Sequence, residues 1–500
     1  MSGGAYDLLV VGGGVNGAGI ARDAAGRGLA VLLVEQDDLA SHTSSASTKL
    51  IHGGLRYLEQ YAFRLVRESL LERELLWGLA PHIIRPLEFV LPHAEATRPR
   101  WMVRLGLLLY DHLGGRKRLP ASRGVKLAGR PYGAGLRPDI ANGFVYADCR
   151  VDDARLVALL AVDAAARGAD IRTRTRLVEA KREGGAWHAT IADAAGTTQV
   201  SARAMVNAAG PWIDHILHAV SPDEQERPPR LVKGSHIIVP RMFAGEHAYI
   251  FQNPDRRIIF AIPYEDAFTL VGTTDTAWEG DPQAPAISAE ETDYLCEAAS
   301  RWFALPIGPG DVVHSYAGIR PLYDDGSARA SEVTRDYVLR LGCERAPQLL
   351  SVFGGKITTH RRLAEHALEK LAPFLAMGPA WTATTPLPGG DLPGDFASFL
   401  AGVTARWPFL GEATALRMAR AYGTRIERVL GKAASLADLG EDFGGGLRAR
   451  EVDYLVRHEF ARTAEDVLWR RSKIGLHVGA ETRDRVAAYL AGGAAAGRSE

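Results

Sequence analysis

The sequence predicts an α/β protein in three parts: a doubly wound nucleotide-binding unit, a region of antiparallel sheet and a helical C-terminal domain. Three observations predict it. A buried strand pattern runs directly into a glycine-rich turn and a helix at the N-terminus. Alternating apolar patterns recur around residues 237–239, 258–262 and 269–272. A Pro/Gly-rich stretch, residues 386–393, separates these from residues 395–490, whose periodicity is helical.

The N-terminal element is the most informative. Residues 6–11 (YDLLVV) read as a short buried strand, followed at once by Gly12-Gly13-Gly14-Val15-Asn16-Gly17 and a helical pattern over 18–27. A second apolar run, residues 30–34, ends in Glu35. Strand, turn, helix, strand and a terminal acid about twenty residues past the glycines form a dinucleotide site. Gly12 permits the tight turn, Gly14 lets the backbone approach a pyrophosphate, and Gly17 lets helix and strand pack closely. The helix N-terminus presents unpaired N–H groups and partial positive charge to phosphate. Glu35 suits a ribose diol, and an acid there disfavours a 2′-phosphate. These residues alone leave NAD and FAD both open.

The next element favours FAD. Thr43, Ser44, Ser45, Ser47 and Thr48 form a hydroxyl-rich loop with Lys49, followed by His52-Gly53-Gly54-Leu55-Arg56-Tyr57. An NAD fold would usually continue with a plain strand–helix unit. Hydroxyls suit further contacts to pyrophosphate and ribitol, and paired glycines let the chain pass close to a flat ring.

Helical periodicity follows over 60–77, ended by Pro81, and over 101–113, closed by Gly114-Gly115-Arg116-Lys117-Arg118. Residues 152–167 read as a helix and 171–179 as a strand. The antiparallel region turns at Asn253-Pro254-Asp255 and Tyr264-Glu265-Asp266, and an αβ stretch returns over 316–371. Lys plus Arg equals Asp plus Glu at 59 each, so no global field attracts nucleic acid, and any basic site must be local. Cys149, Cys296 and Cys343 lie far apart, without metal-type spacing or a disulfide framework, so neither metal nor disulfide is expected. No signal-peptide pattern and no spanning apolar run is seen, which predicts an intracellular chain that spans nothing.

Eight motifs occur in order: TSSASTKLIHGGLRYLE, VDDARL (151–156), NAAGPW (207–212), KGSH (233–236), GTTDT (272–276), GIRPL (318–322), TRDY (334–337) and FGGKITT (353–359). Together they closely resemble the FAD-dependent glycerol-3-phosphate dehydrogenases of the D-amino-acid-oxidase-like superfamily, over essentially the whole chain, including the DVLWRRSK ending (466–473). The resemblance implies a discontinuous, Rossmann-like FAD-binding domain built from residues 1–80, 150–215 and 311–372. It implies a substrate-binding or cap region from 81–149 and 216–310, and a helical domain over 385–500. It adds Asn16, Val178, Gly210, Trp212, Gly318, Gly354, Gly355, Lys356, Ile357 and Thr358 to the flavin site. It further implies oxidation of sn-glycerol 3-phosphate to dihydroxyacetone phosphate, with electrons passing from FADH2 to membrane quinone. Such enzymes lie on the inner face of the cytoplasmic membrane and are often homodimers.

The chemistry needs cations for a phosphate and a group for the hydroxyl proton. Arg56, Arg335 and Lys356 are the candidate phosphate cations, with Tyr57 as a hydroxyl donor. His236 is the preferred base and Arg320 an electrostatic clamp on the developing alkoxide; His52 is the rival base, though its place beside the glycine pair suggests contact with the flavin. Trp101, Leu105, Leu107–Leu109 and Tyr110 form an apolar stripe flanked by Arg100, Arg104 and the Arg116–Arg118 cluster, which suits an interfacial helix on anionic lipid or one packed on a core. Open alternatives are a glycerol-3-phosphate oxidase reducing oxygen, an amine or amino-acid oxidase, and a non-catalytic flavoprotein.

Overall fold

The computed structural model describes residues 4–94, 98–115, 118–221, 228–255, 257–324, 336–342 and 347–495. Its first sheet has a parallel centre in the order Gln348–Phe353, Gly196–Asn207, Ala5–Val11, Val31–Val34, Asp170–Arg172. Val31–Val34 and Gln348–Phe353 are buried throughout and Ala5–Val11 over its last four residues, as apolar strands covered on both faces must be. Helix Val15–Gly26 lies on one face between helices Asp153–Ala166 and His360–Leu371, with Ala21, Ala24, Leu363 and Ala367 in the shared core. Helix Ile213–Val220 covers the other face beside the hairpin Arg176–Glu183/Ala186–Asp193, where Trp187 is fully buried. The expected single strand over 171–179 is two, Asp170–Arg172 and Arg176–Glu183, because Arg174, at φ 54°, turns the chain between them.

The second sheet runs Thr276–Ala277, Arg230–Pro240, Phe268–Gly272, Ile258–Tyr264, Ala248–Gln252, Ile84–His93, Asn142–Val151, Leu50–Ile51. It is antiparallel except where Ala248–Gln252 meets Ile84–His93. Strand His314–Leu322, grouped by sequence with the returning flavin segments, instead pairs along Arg230–Pro240, with His236 opposite Tyr316. Leu50–Ile51 likewise pairs in this sheet, against Asn142–Val151. In both segments the backbone hydrogen bonds are taken up by strands of the second sheet.

Helices Phe396–Arg406, Gly411–Tyr422, Ala449–His458 and Ala480–Ala495 enclose a separate apolar core around Tyr422, Phe443, Val452 and Leu455. Buried charges dock this domain. Arg471 binds Asp38 through two nitrogens, each at 2.7 Å, and Arg155 pairs with Glu459.

Candidate active site

Ala5–Val11, Val31–Val34 and Gly196–Asn207 end in register and Gln348–Phe353 runs two residues further, so Gly12, Glu35, Ala208 and Gly354 leave the first sheet along one edge. A doubly wound sheet binds its ligand at that edge. Gly12 sits at φ 112°, and a Cβ there would lie 2.4 Å from the Ala208 carbonyl oxygen. A Cβ on Gly17 would meet the Gly12 oxygen at 1.9 Å, so this glycine sets the approach of helix to strand. Glu35 accepts the N–H groups of Gly13 (2.6 Å) and Asp37 (2.9 Å), and burial raises its pKa. The Val15 N–H, first in the helix, donates to Ser44 Oγ at 2.9 Å.

Distant segments close this cleft. Asn16 Nδ2 donates to the Gly354 carbonyl at 3.0 Å, and Gly354 and Gly355 both take positive φ. Gly210, at φ 57°, and Trp212 complete one wall, with Trp212 edge-on to His42. Thr43 donates to the Ile319 carbonyl at 2.6 Å. The resulting cavity, about 260 Å³, adjoins a second of about 280 Å³ that lies against the second sheet. Val15, Thr43, Ser44, Tyr57, Arg320, Gly355 and Lys356 line both, so the two form one bent cleft.

Several residues expected at the cofactor face elsewhere. Lys49 is buried on Asp153 (2.9 and 3.0 Å), because an ammonium removed from water requires a counter-ion. Ser45 Oγ donates back to the His42 carbonyl, and Ser47 Oγ donates to Asp153, although Ser47 still lines the second cavity. Gly53 serves packing: its N–H donates to Tyr110 Oη, and a Cβ would strike Leu70 at 2.4 Å. The Val178 side chain is exposed where the strand bulges, and Leu177 lines the cavity instead. Arg335 lies outside the described residues.

The second cavity gathers His52, Gly54, Arg56, Tyr57, His236, Gly318, Arg320, Lys356, Ile357 and Thr358. Lys356 Nζ lies 3.6 Å from the centroid of the Tyr57 ring. Arg320 Nη2 is 2.6 Å from Asp275 Oδ1, and Arg56 Nη1 is 3.8 Å from Asp275 Oδ2. Asp275 therefore stands between two guanidiniums. Sequence reasoning missed this role, although the residue sits in the quoted GTTDT motif. His236 Nε2 is 3.0 Å from Thr48 Oγ1, a second residue the sequence reading did not single out as a partner, and the imidazole stacks on Tyr316. Gly272 is needed beside it, since a Cβ there would fall 2.1 Å from the ring. Burial, then the charges of Lys49 and Arg320, push the His236 pKa down to about 3. Burial likewise lowers His52 to about 4. Both imidazoles are neutral at physiological pH.

Comparison with known proteins decides the family. A model described as FAD dependent oxidoreductase matches residues 7–361. The chain belongs to the FAD-dependent oxidoreductase family. A second model, described as the C-terminal domain of alpha-glycerophosphate oxidase, matches residues 380–494. A glycerol-3-phosphate dehydrogenase of Pseudomonas aeruginosa is 55% identical over 491 residues, covering 97% of this chain and 95% of that protein. A D-erythritol 1-phosphate dehydrogenase of Brucella abortus is 51% identical, covering 94% and 95%. The solved glycerol-3-phosphate dehydrogenase of Bacillus halodurans, complexed with FAD, superposes with a TM-score of 0.73 at 30% identity, covering 94% of this chain and 86% of that one.

The family's cofactor is FAD, and the residues present fit it. A long bent cleft starts at glycines that exclude any Cβ, passes a helix N-terminus and Glu35, and reaches the second sheet. No described helix is long and apolar enough to cross a membrane.

Proposed function

We propose that this FAD-dependent oxidoreductase acts on sn-glycerol 3-phosphate, yields dihydroxyacetone phosphate and passes the electrons to membrane quinone. One observation carries the substrate class: Arg56, Arg320 and Lys356 line the same cavity as a neutral, buried His236, at the far end of the flavin cleft. A short polyol phosphate has the matching groups, a phosphate dianion and a secondary hydroxyl. Two of the relatives named above act, by name, on such phosphates.

Bound FAD supplies the two-electron acceptor that carbinol oxidation requires. The protein's own groups do the rest. Arg56 and Lys356 hold the phosphate, with the Tyr57 hydroxyl as a further donor. His236, neutral and held by Thr48 and Tyr316, takes the hydroxyl proton. The charge of Arg320 weakens the imidazole as a base, yet it also stabilises the alkoxide oxygen as the proton leaves. Asp275 keeps Arg56 and Arg320 oriented before substrate enters.

Support for quinone comes from helix Arg100–Leu113. Leu107 and Tyr110 face inward, while Trp101, Met102, Leu105, Leu108 and Leu109 are all more than two-fifths exposed. A helix apolar on its outer face suits insertion into the interfacial layer of a bilayer. Of the basic cluster, Arg116 and Lys117 lie outside the described residues. Arg118 is committed to packing: its guanidinium lies 3.9 Å over Trp77 and donates to Glu74.

The test is anaerobic addition of glycerol 3-phosphate to the flavin-loaded protein. Bleaching of the flavin absorbance is expected, with no bleaching by glycerol or lactate. Faster bleaching by D-erythritol 1-phosphate would move the assignment to that substrate. A quinone-analogue assay beside a peroxide assay decides the acceptor, and peroxide as the main product would make the enzyme an oxidase.

A further inference from the structure

A third cavity, of about 530 Å³, lies between the second sheet and the C-terminal helices and shares no lining residue with the cleft. Its walls are strongly basic. Four of its cations are neutralised: Lys49 by Asp153, Arg417 by Glu451, Arg471 by Asp38, and Lys473 by Asp152. Arg85, Arg150 and Arg420 are not, and among the described residues none of the three is ion-paired. Arg150 Nη1 donates to the Pro263 carbonyl at 3.0 Å. Arg420 lies over the Phe396 ring, its Nη1 is 3.5 Å from the Pro81 carbonyl oxygen, and its Nε is buried without a partner. His82, fully buried in the same wall, has no partner on either ring nitrogen.

Such an arrangement is costly in the absence of an anion. Burial and mutual repulsion push Arg85 down to about 10 and Arg420 to about 9. The nearby Glu265 is a weakened counter-ion, since burial and Asp152 raise its pKa. Burial, with Arg155 and Arg420, pushes His82 down to about 3, so its imidazole is neutral and offers one N–H. Three guanidiniums and a neutral donor around one space match the oxygens of a phosphate.

We propose that this cavity is a second anion site, taking a soluble phosphomonoester on Arg85, Arg150 and Arg420 with His82 as a hydrogen-bond donor. Its volume leaves room for an organic body beyond the phosphate. It lies directly behind the cleft: Lys49 faces this cavity, while its neighbours Thr48 and Leu50 face the cleft. Lys49 Nζ is 5.0 Å from the Tyr316 ring, which stacks on His236, so a ligand here would be felt across one layer of side chains.

Calorimetric titration of the full-length, flavin-loaded protein with inorganic phosphate tests this. Two sites per chain are expected, the second with a Kd below about 1 mM. The Arg85→Gln/Arg420→Gln double variant should lose one site and still be bleached by substrate; Arg56→Gln should lose the other. Phosphate binding that is the same in the wild type and the double variant, whether at one site or two, overturns the proposal. If Arg56→Gln changes nothing while the double variant loses a site, the polyol-phosphate reading of the cleft fails and this one stands. Crystals of the wild type soaked in tungstate need no variant: an anomalous peak among Arg85, Arg150 and Arg420 is expected, and its absence overturns the site.

Discussion

The buried His236 makes a kinetic prediction with a definite size. An ordinary imidazole, with a pKa near 6.5, would be about 90% protonated at about pH 5.5, and a base so titrated would lose about tenfold in rate. With its pKa pushed down to about 3, His236 is less than about 1% protonated at the same pH. The rate constant for anaerobic flavin reduction, measured by stopped flow at saturating glycerol 3-phosphate, should therefore stay within about twofold between about pH 5.5 and 7.5. His236→Ala should slow this step about a hundredfold at both pH values, with flavin content unchanged. Saturation matters, because the substrate's own phosphate titrates near pH 6 and acts on binding. A tenfold loss with a midpoint near 6.5, absent from the His236→Ala variant, would refute the reasoning. Near-normal turnover in His236→Ala would exclude the residue as the base.

Four further outcomes are expected. Gly12→Ala should weaken FAD binding at least about tenfold, since its φ of 112° and the 2.4 Å approach to Ala208 forbid a side chain; full flavin retention after desalting would contradict this. Lys49→Met leaves Asp153 buried without its counter-ion and should cost about 3–5 kcal/mol, seen as an earlier unfolding midpoint in urea; unchanged stability would return Lys49 to the flavin-site role. Trp101→Glu/Leu105→Glu alters only exposed side chains, so it should move the protein from the membrane pellet to the soluble fraction at nearly unchanged Tm; unaltered partitioning would remove this helix from the membrane contact. His52 and the buried His82, His236, His247 and His360 all have depressed folded-state pKa values, so only the unfolded chain takes up protons readily below about pH 6.5. Stability should be full above that value and fall towards pH 4, by about 1.4 kcal/mol per pH unit for each histidine; a flat thermal midpoint between about pH 7 and 5 would argue against it.

What was legible in the sequence was what local chemistry determines. The turn at Gly12, Gly14 and Gly17 and the acid at Glu35 follow from backbone clearance and from one strand–helix–strand unit. The strands near residues 237, 258 and 269 are legible as short apolar runs, although the structure buries them almost continuously and not alternately. Pairings between distant charges were not legible. Lys49 looked like a cofactor contact because its neighbours are hydroxyls, yet its partner, Asp153, is 104 residues away. Asp275 stood in a quoted motif, but nothing local shows that Arg56 and Arg320 converge on it. Strand His314–Leu322 reads with the flavin-binding segments, and its pairing along Arg230–Pro240 is not legible for the same reason: periodicity marks a strand and says nothing of its edge partner. The unpaired arginines of the third cavity are visible only as a balance of neighbours, which three-dimensional packing alone supplies.

The way the cleft is closed also determines when it can be filled. Its walls come from Gly12 near the start of the chain, Gly210 in the middle and Gly354 well past it, and Asn16 reaches the last of these directly. During synthesis the strand Ala5–Val11 emerges early, but its neighbour Gly196–Asn207 and then Gln348–Phe353 must leave the ribosome before the pocket has all its sides. Asp38, just beyond Glu35, waits longer still for Arg471. Flavin capture is thus a late event in the life of the nascent chain.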